Sequence, residues 1–167
     1  MTGKQIEKAK EEYESAQREA KSRHGREAGH GRSGYLPAIE EILEEDSIYA
    51  ERRIGVEAVP LAQIAGTVSL TRARSFAPDF LPLPPEESEF AAKWVRVYAH
   101  QLDTGITDPV ELREYLNWYF VSEGNKRVSV LKRLGAYEIE ANVPRLLPHQ
   151  DADDPEGATY FSLVPDK

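Results

Sequence analysis

The sequence contains no cysteine. That absence removes disulfides, thiolate zinc sites, thiol nucleophiles and sulfur redox chemistry from this chain. No apolar run approaches the roughly 20 residues that a helix needs to cross a bilayer. The opening Met-Thr-Gly-Lys-Gln-Ile-Glu has no apolar secretory core, so a cytoplasmic protein without a membrane partner is expected. Positive charge is scarce overall: 21 Lys and Arg face 29 Asp and Glu, a net charge of −8. Nonspecific duplex binding needs several cations to neutralise phosphates, so the balance argues against it.

At 167 residues, 40% hydrophobic and 30% charged, the chain has the size and composition of one globular domain with an extension. Its charge is unevenly placed. Residues 1–34 hold eight Lys/Arg against six Asp/Glu, so the remainder carries all of the net negative charge. Within that acidic remainder, Lys126, Arg127, Lys132 and Arg133 lie inside eight positions. A local basic spot on an acidic body suits a small anionic ligand better than a long polyanion.

The most informative stretch is Tyr119-Phe-Val-Ser-Glu-Gly-Asn-Lys-Arg-Val-Ser-Val-Leu-Lys-Arg-Leu-Gly135. A β-rich run stops at Glu123-Gly124, a helical pattern of Val128, Val130, Leu131 and Leu134 follows, and alternation resumes at Ile139, Ala141 and Val143. The reading is strand, Gly turn, helix, strand. The first N–H groups of a helix have no partner inside it, and the helix dipole favours negative charge there. Gly124 can take a positive φ and let a ligand approach closely. Lys126 and Arg127 stand at the same end, where cations oppose the dipole unless an anion offsets them.

Elsewhere, residues 3–24 read as a charged helix with a thin stripe of Ile6, Ala9, Tyr13, Ala16 and Ala20. The stripe serves either to lay the helix on its own domain or to pair two copies into a homodimer. Residues 22–34, rich in Gly, Arg and His, read as a flexible basic connector, and His24 and His30 have too little fixed geometry there for a metal site. Leu36 to Glu45 reads as a short amphipathic helix, residues 48–59 as a strand, and Pro60 to Gly66 as a helical turn capped by Gly66. Thr67 to Pro85 is a long irregular segment, in which Arg72 and Arg74, two apart, would point the same way if extended and so serve an anion site together. Glu87 to Thr104 is the strongest helix, and residues 108–121 fit two strands turning near Asn117 or a helix over 110–116. The acidic run 151–157 lacks the bidentate Glu of a calcium loop and reads as part of a solvated tail.

The stretch Tyr119 to Ala136, with Val59-Pro-Leu-Ala-Gln-Ile-Ala-Gly66 some fifty residues earlier, resembles the ParB/sulfiredoxin superfamily. More narrowly it is similar to bacterial ParB-like domains that precede a BMP-type solute-binding domain. The resemblance runs from the Leu36 helix to about Pro148 and implies a small α/β (α+β) fold at 35–148, a mixed sheet with packed helices. The charged N-terminal helical extension and linker of residues 1–34 and the acidic tail of 149–167 flank it. Gly124 matches the family glycine, Arg127 its terminal arginine, and Asn125 and Lys126 the variable positions between. Sulfiredoxin's cysteine would fall at Asn125, so sulfinic acid reduction is not expected here, and only residues 149–167 follow where partition proteins carry a DNA-binding domain.

These observations lead to one expectation and two alternatives. The expectation is a nucleoside triphosphate, with or without Mg²⁺, held by Gly124, Asn125, Lys126 and Arg127 with help from Arg72 or Arg74. Glu123 is the one carboxylate beside the cradle, placed to hold the metal or a water if hydrolysis or phosphoryl transfer occurs. The first alternative is a non-catalytic sensing or interaction module. The second is nucleic-acid binding through residues 18–34 and 126–133.

Overall fold

The computed structural model describes residues 2–42, 48–105 and 108–148; the acidic run and tail of residues 149–167 lie outside the described residues. In chain order the elements are helices α1 (Gly3–Gly29) and α2 (Ile39–Ile42), strands β1 (Ile48–Pro60) and β2 (Ile64–Thr67), helix α3 (Leu70–Ala73), strands β3 (Phe76–Ala77) and β4 (Leu81–Pro82), helix α4 (Glu89–Asp103), strands β5 (Val110–Tyr115) and β6 (Trp118–Glu123), helix α5 (Asn125–Arg133), and strand β7 (Glu138–Pro148). Five strands form one sheet in the order β1-β7-β5-β6-β2, and β3 pairs with β4 separately. The sheet is mixed: β1/β7 and β5/β6 are antiparallel, while β5/β7 and β2/β6 are parallel. This is a mixed α/β fold with packed helices and a long N-terminal helix.

The sheet follows from alternation. Val110, Leu112 and Glu114 are buried in β5 while their neighbours are not, and Val110, Leu112, Val121, Ile139, Ala141 and Val143 join Val128 and Leu131 of α5 in the main core. The β5–β6 connection settles the choice left open between strands and helix. Leu116 and Asn117 both have positive φ, 50° and 72°, the backbone of a two-residue hairpin turn whose twist matches antiparallel strands. Gly66 is not a helix cap. The 3-10 turn ends at Gln63 and Gly66 lies within β2, where a Cβ would sit 2.1 Å from the Pro37 carbonyl oxygen. Glycine there lets residues 37 and 38 lie along the free edge of β2, with the Thr67 N–H donating to Pro37.

The N-terminal helix is longer than its composition predicts. Thr2 and Gln5 form a reciprocal capping box, and the helix continues through Gly25 to Gly29, replacing the first half of the expected flexible connector. Tertiary contacts hold that glycine-containing end. His24 Nδ1 donates to the Gly34 carbonyl at 2.8 Å, and its ring lies 4.6 Å from that of Tyr35. Ala9, Tyr13, Ala16, Gln17 and Ala20 are buried, Tyr13 packs edge-on against Trp94 of α4, and its hydroxyl donates to Pro84. The apolar stripe offered by the sequence to a second copy is therefore used within the chain. Arg133 of α5 fastens the same helix, its Nε bonding Glu12 at 2.6 Å, its Nη2 Ser15 at 3.0 Å and its Nη1 Glu19. Arg133→Ala is expected to cost about 1–3 kcal/mol. Hydrogen exchange should show it as faster opening of α1 amides, with sheet amides changed less.

Candidate functional site

At the end of β6 the chain turns through Gly124, with φ 108° and ψ 27°, and α5 begins at Asn125. The turn needs glycine twice over. The backbone is left-handed, and a Cβ would lie 2.6 Å from Val110 Cγ1 and 2.9 Å from Arg127 Nη2. Hydroxyl side chains of Thr2, Ser69 and Ser88 cap the starts of α1, α3 and α4, whereas no side chain caps α5. Among the described residues, the first-turn amides of α5 thus lack the side-chain acceptor that the starts of α1, α3 and α4 possess.

The expected site residues divide. Asn125 is buried, 7% exposed, and its Oδ1 has no hydrogen-bond partner among the described residues. A buried polar atom without a partner costs on the order of 1–3 kcal/mol. Rotation about χ2 exchanges its carbonyl and amino ends, so the group can meet either a donor or an acceptor. Arg127 turns back over Gly124, and its Nη1 donates to the carbonyls of Asp108 and Pro109 at 3.0 and 3.3 Å. It ties the mouth of α5 to the segment leading into β5, so part of its donor capacity is already committed.

Lys126 is half-buried, with its ammonium 4.7 Å from the centre of the Phe90 ring. Burial, then the neighbouring charges of Lys93 and Arg72, lower its pKa, while Glu123 and Glu89 pull the other way. Cations from α3 and α4 and two carboxylates thus act on Lys126 at this end of α5. Lys93 also bonds Glu89 at 3.0 Å, and Glu123 is exposed at the end of β6. Lys93 was not legible in the sequence, because it lies off the apolar stripe of its helix and only the packing of α4 on α5 brings it here.

Arg74 does not join them. It pairs with Glu41 at 3.4 Å and stacks 4.5 Å over Tyr35. The expectation that Arg72 and Arg74 share a direction required an extended chain. The segment is instead helical, and residues two apart on a helix do not face each other. The 126–133 basic run is divided too, since Lys132 bonds Asp79 and Arg133 is held by α1 at the far end of α5. Among the described residues no group of three or more His, Asp or Glu is placed to hold a metal ion. Glu123 and Glu89 are the carboxylates that act on Lys126.

No family model matches the chain, and no curated protein matches it. A solved structure, sulfiredoxin from Arabidopsis thaliana, is similar to 53% of this chain and 82% of its own, at 18% identity and a TM-score of 0.38. That is a weak structural similarity to a sulfiredoxin-like fold.

Proposed function

We propose that the chain binds a nucleotide, or another small phosphate-bearing anion, at the mouth of α5. The observation that carries this reading is the placement of Lys126, an ammonium partly withdrawn from water beside Lys93 and Arg72, at an uncapped helix start. Such an arrangement is unfavourable by itself and becomes favourable when an anion enters. The first-turn amides donate, and the Asn125 side chain, turned so that its amino end faces the anion, gains a partner. The resemblance to ParB-like domains extends the proposal to a nucleoside triphosphate with Mg²⁺ and to hydrolysis or phosphoryl transfer, with Glu123 holding the metal or a water. Arg127's commitment to main-chain carbonyls favours binding or sensing without turnover as the second reading.

Calorimetric titration with the common nucleoside triphosphates, with and without Mg²⁺, tests the proposal. Wild type should bind saturably, and Lys126→Met should weaken binding about ten- to a hundredfold, the worth of one charge-assisted contact. The same variant should melt no lower than wild type without ligand, since it removes repulsion and keeps an apolar stem over Phe90. The sign with pH follows from the lowered pKa of Lys126. The cation is lost at a lower pH than the ordinary lysine value of about 10.4, so affinity falls as pH rises through the depressed value. Free-protein stability moves oppositely: between the folded and unfolded values the unfolded state binds more protons, and stability rises with pH. Absence of saturable binding in wild type would refute the proposal.

A further inference from the structure

A cavity of about 450 Å³ lies between the second half of α1, the Pro78–Phe80 turn with β4, and the C-terminal half of α5. We infer that it is a second anion site, for an organic phosphomonoester, separate from the mouth of α5. A nine-residue helix is about 13 Å long, and the two sites lie towards its opposite ends. The volume is that of a small-molecule pocket.

The charges of its wall decide the ligand class. Arg133 is consumed by Glu12, Ser15 and Glu19. Lys132, only 15% exposed, donates to the Ile64 carbonyl at 3.3 Å and to Asp79 at 3.1 Å, and its ammonium stands 5.4 Å from the centre of the Phe80 ring. Arg23 reaches Glu27 only at 3.7 Å, and that carboxylate is held at 2.9 Å by Arg32. Arg26 has no ion-pair partner among the described residues. Arg23 and Arg26, three apart, share one face of α1. Helix dipoles account for one cation at each C-terminal end, which Arg26 and Arg133 supply; Arg23 and Lys132 come in addition. Planar guanidinium forks with an ammonium opposite match the oxygens of a phosphate.

Glu19, Ser22, Asp79 and Ser129 also line the cavity, and one side of it is an apolar strip held in place by its backbone. Leu81 and Pro82 line it, and the backbone before them is left-handed at two successive non-glycine residues, Asp79 with φ 68° and Phe80 with φ 61°. Ser129 holds that turn by donating to the Phe80 carbonyl at 2.6 Å while accepting from Trp94 at 2.9 Å. A phosphate on the three cations therefore leaves its organic part against a fixed hydrophobic surface.

Amide NMR of the full chain, titrated with phenyl phosphate and separately with inorganic phosphate, tests this. Phenyl phosphate should shift amides at 22–26 and 129–133 saturably and bind more tightly than inorganic phosphate. The exposed double variant Arg23→Ala/Arg26→Ala should weaken it at least about tenfold. Asp79→Asn, which keeps a residue tolerant of positive φ and frees Lys132, should tighten it about three- to tenfold. Shifts confined to 124–127, no saturation, equal affinity for inorganic phosphate, or unchanged affinity in either variant would overturn the assignment. Loss of nucleotide binding at the mouth of α5 would leave these outcomes unaffected, because the two sites report on different amides.

Discussion

Gly124→Ala is expected to lower the unfolding free energy by about 2–5 kcal/mol, the sum of a strained left-handed alanine and an overpacked contact. The added methyl meets Val110 Cγ1 at 2.6 Å in a fully buried side chain of β5, which cannot give way without moving the sheet. It also meets Arg127 Nη2 at 2.9 Å and would disturb the bonds from Arg127 to Asp108 and Pro109. Gly135→Ala supplies the control. Gly135 has φ 75° but nothing within 4 Å of a new Cβ, so it carries the backbone strain alone, about 1–2 kcal/mol. Denaturant unfolding of both variants separates strain from clash, and equal losses would show that Val110 yields. If the mouth of α5 holds a phosphate, Gly124→Ala should also abolish the rise in melting temperature that saturating ligand gives wild type, while Gly135→Ala should keep it.

Trp94→Ala is expected to be still more damaging, about 3–5 kcal/mol. Trp94 is fully buried, stacks on Tyr98, meets Tyr13 edge-on, and donates to Ser129. It thus joins α1, α4 and α5, and through Ser129 it steadies the strained turn at Asp79 and Phe80. Trp94→Phe retains most of the ring packing but loses the hydrogen bond. It should cost about 1–2 kcal/mol and loosen the 78–82 segment selectively. Comparable hydrogen exchange in that segment for Trp94→Phe and wild type would mean that Ser129 holds the turn without help.

Gly124 and the residues after it were legible because local rules suffice there. A β-rich run, a glycine and a helical period leave little freedom, and α5 and β7 begin within a few residues of the places that the pattern marks. The strand of residues 48–60 and the helix at 89–103 were legible for the same reason, a clear period with turn residues at its ends. Residues 22–29 were not, since glycine lowers helix propensity locally and only contacts with residues 34 and 35 reverse the preference. The strand character of residues 110–115 was undecided by periodicity, because a six-residue segment supports either pattern and pairing with β6 and β7 selects one.

What the sequence by itself determined is the chemistry available: no thiols, an acidic body with a compact basic run, and a glycine turn leading into a helix whose first turn carries two cations. Which cations meet was decided only by tertiary structure. Lys93 and Arg72 act on Lys126 from other helices, Arg127 bends back to main-chain carbonyls, Arg74 leaves for Glu41, and Lys132 and Arg133 are drawn to Asp79 and α1. The physical reason is range. Propensity and capping act over a few residues, whereas charges interact over several ångströms of space, and the packing of distant segments sets that distance.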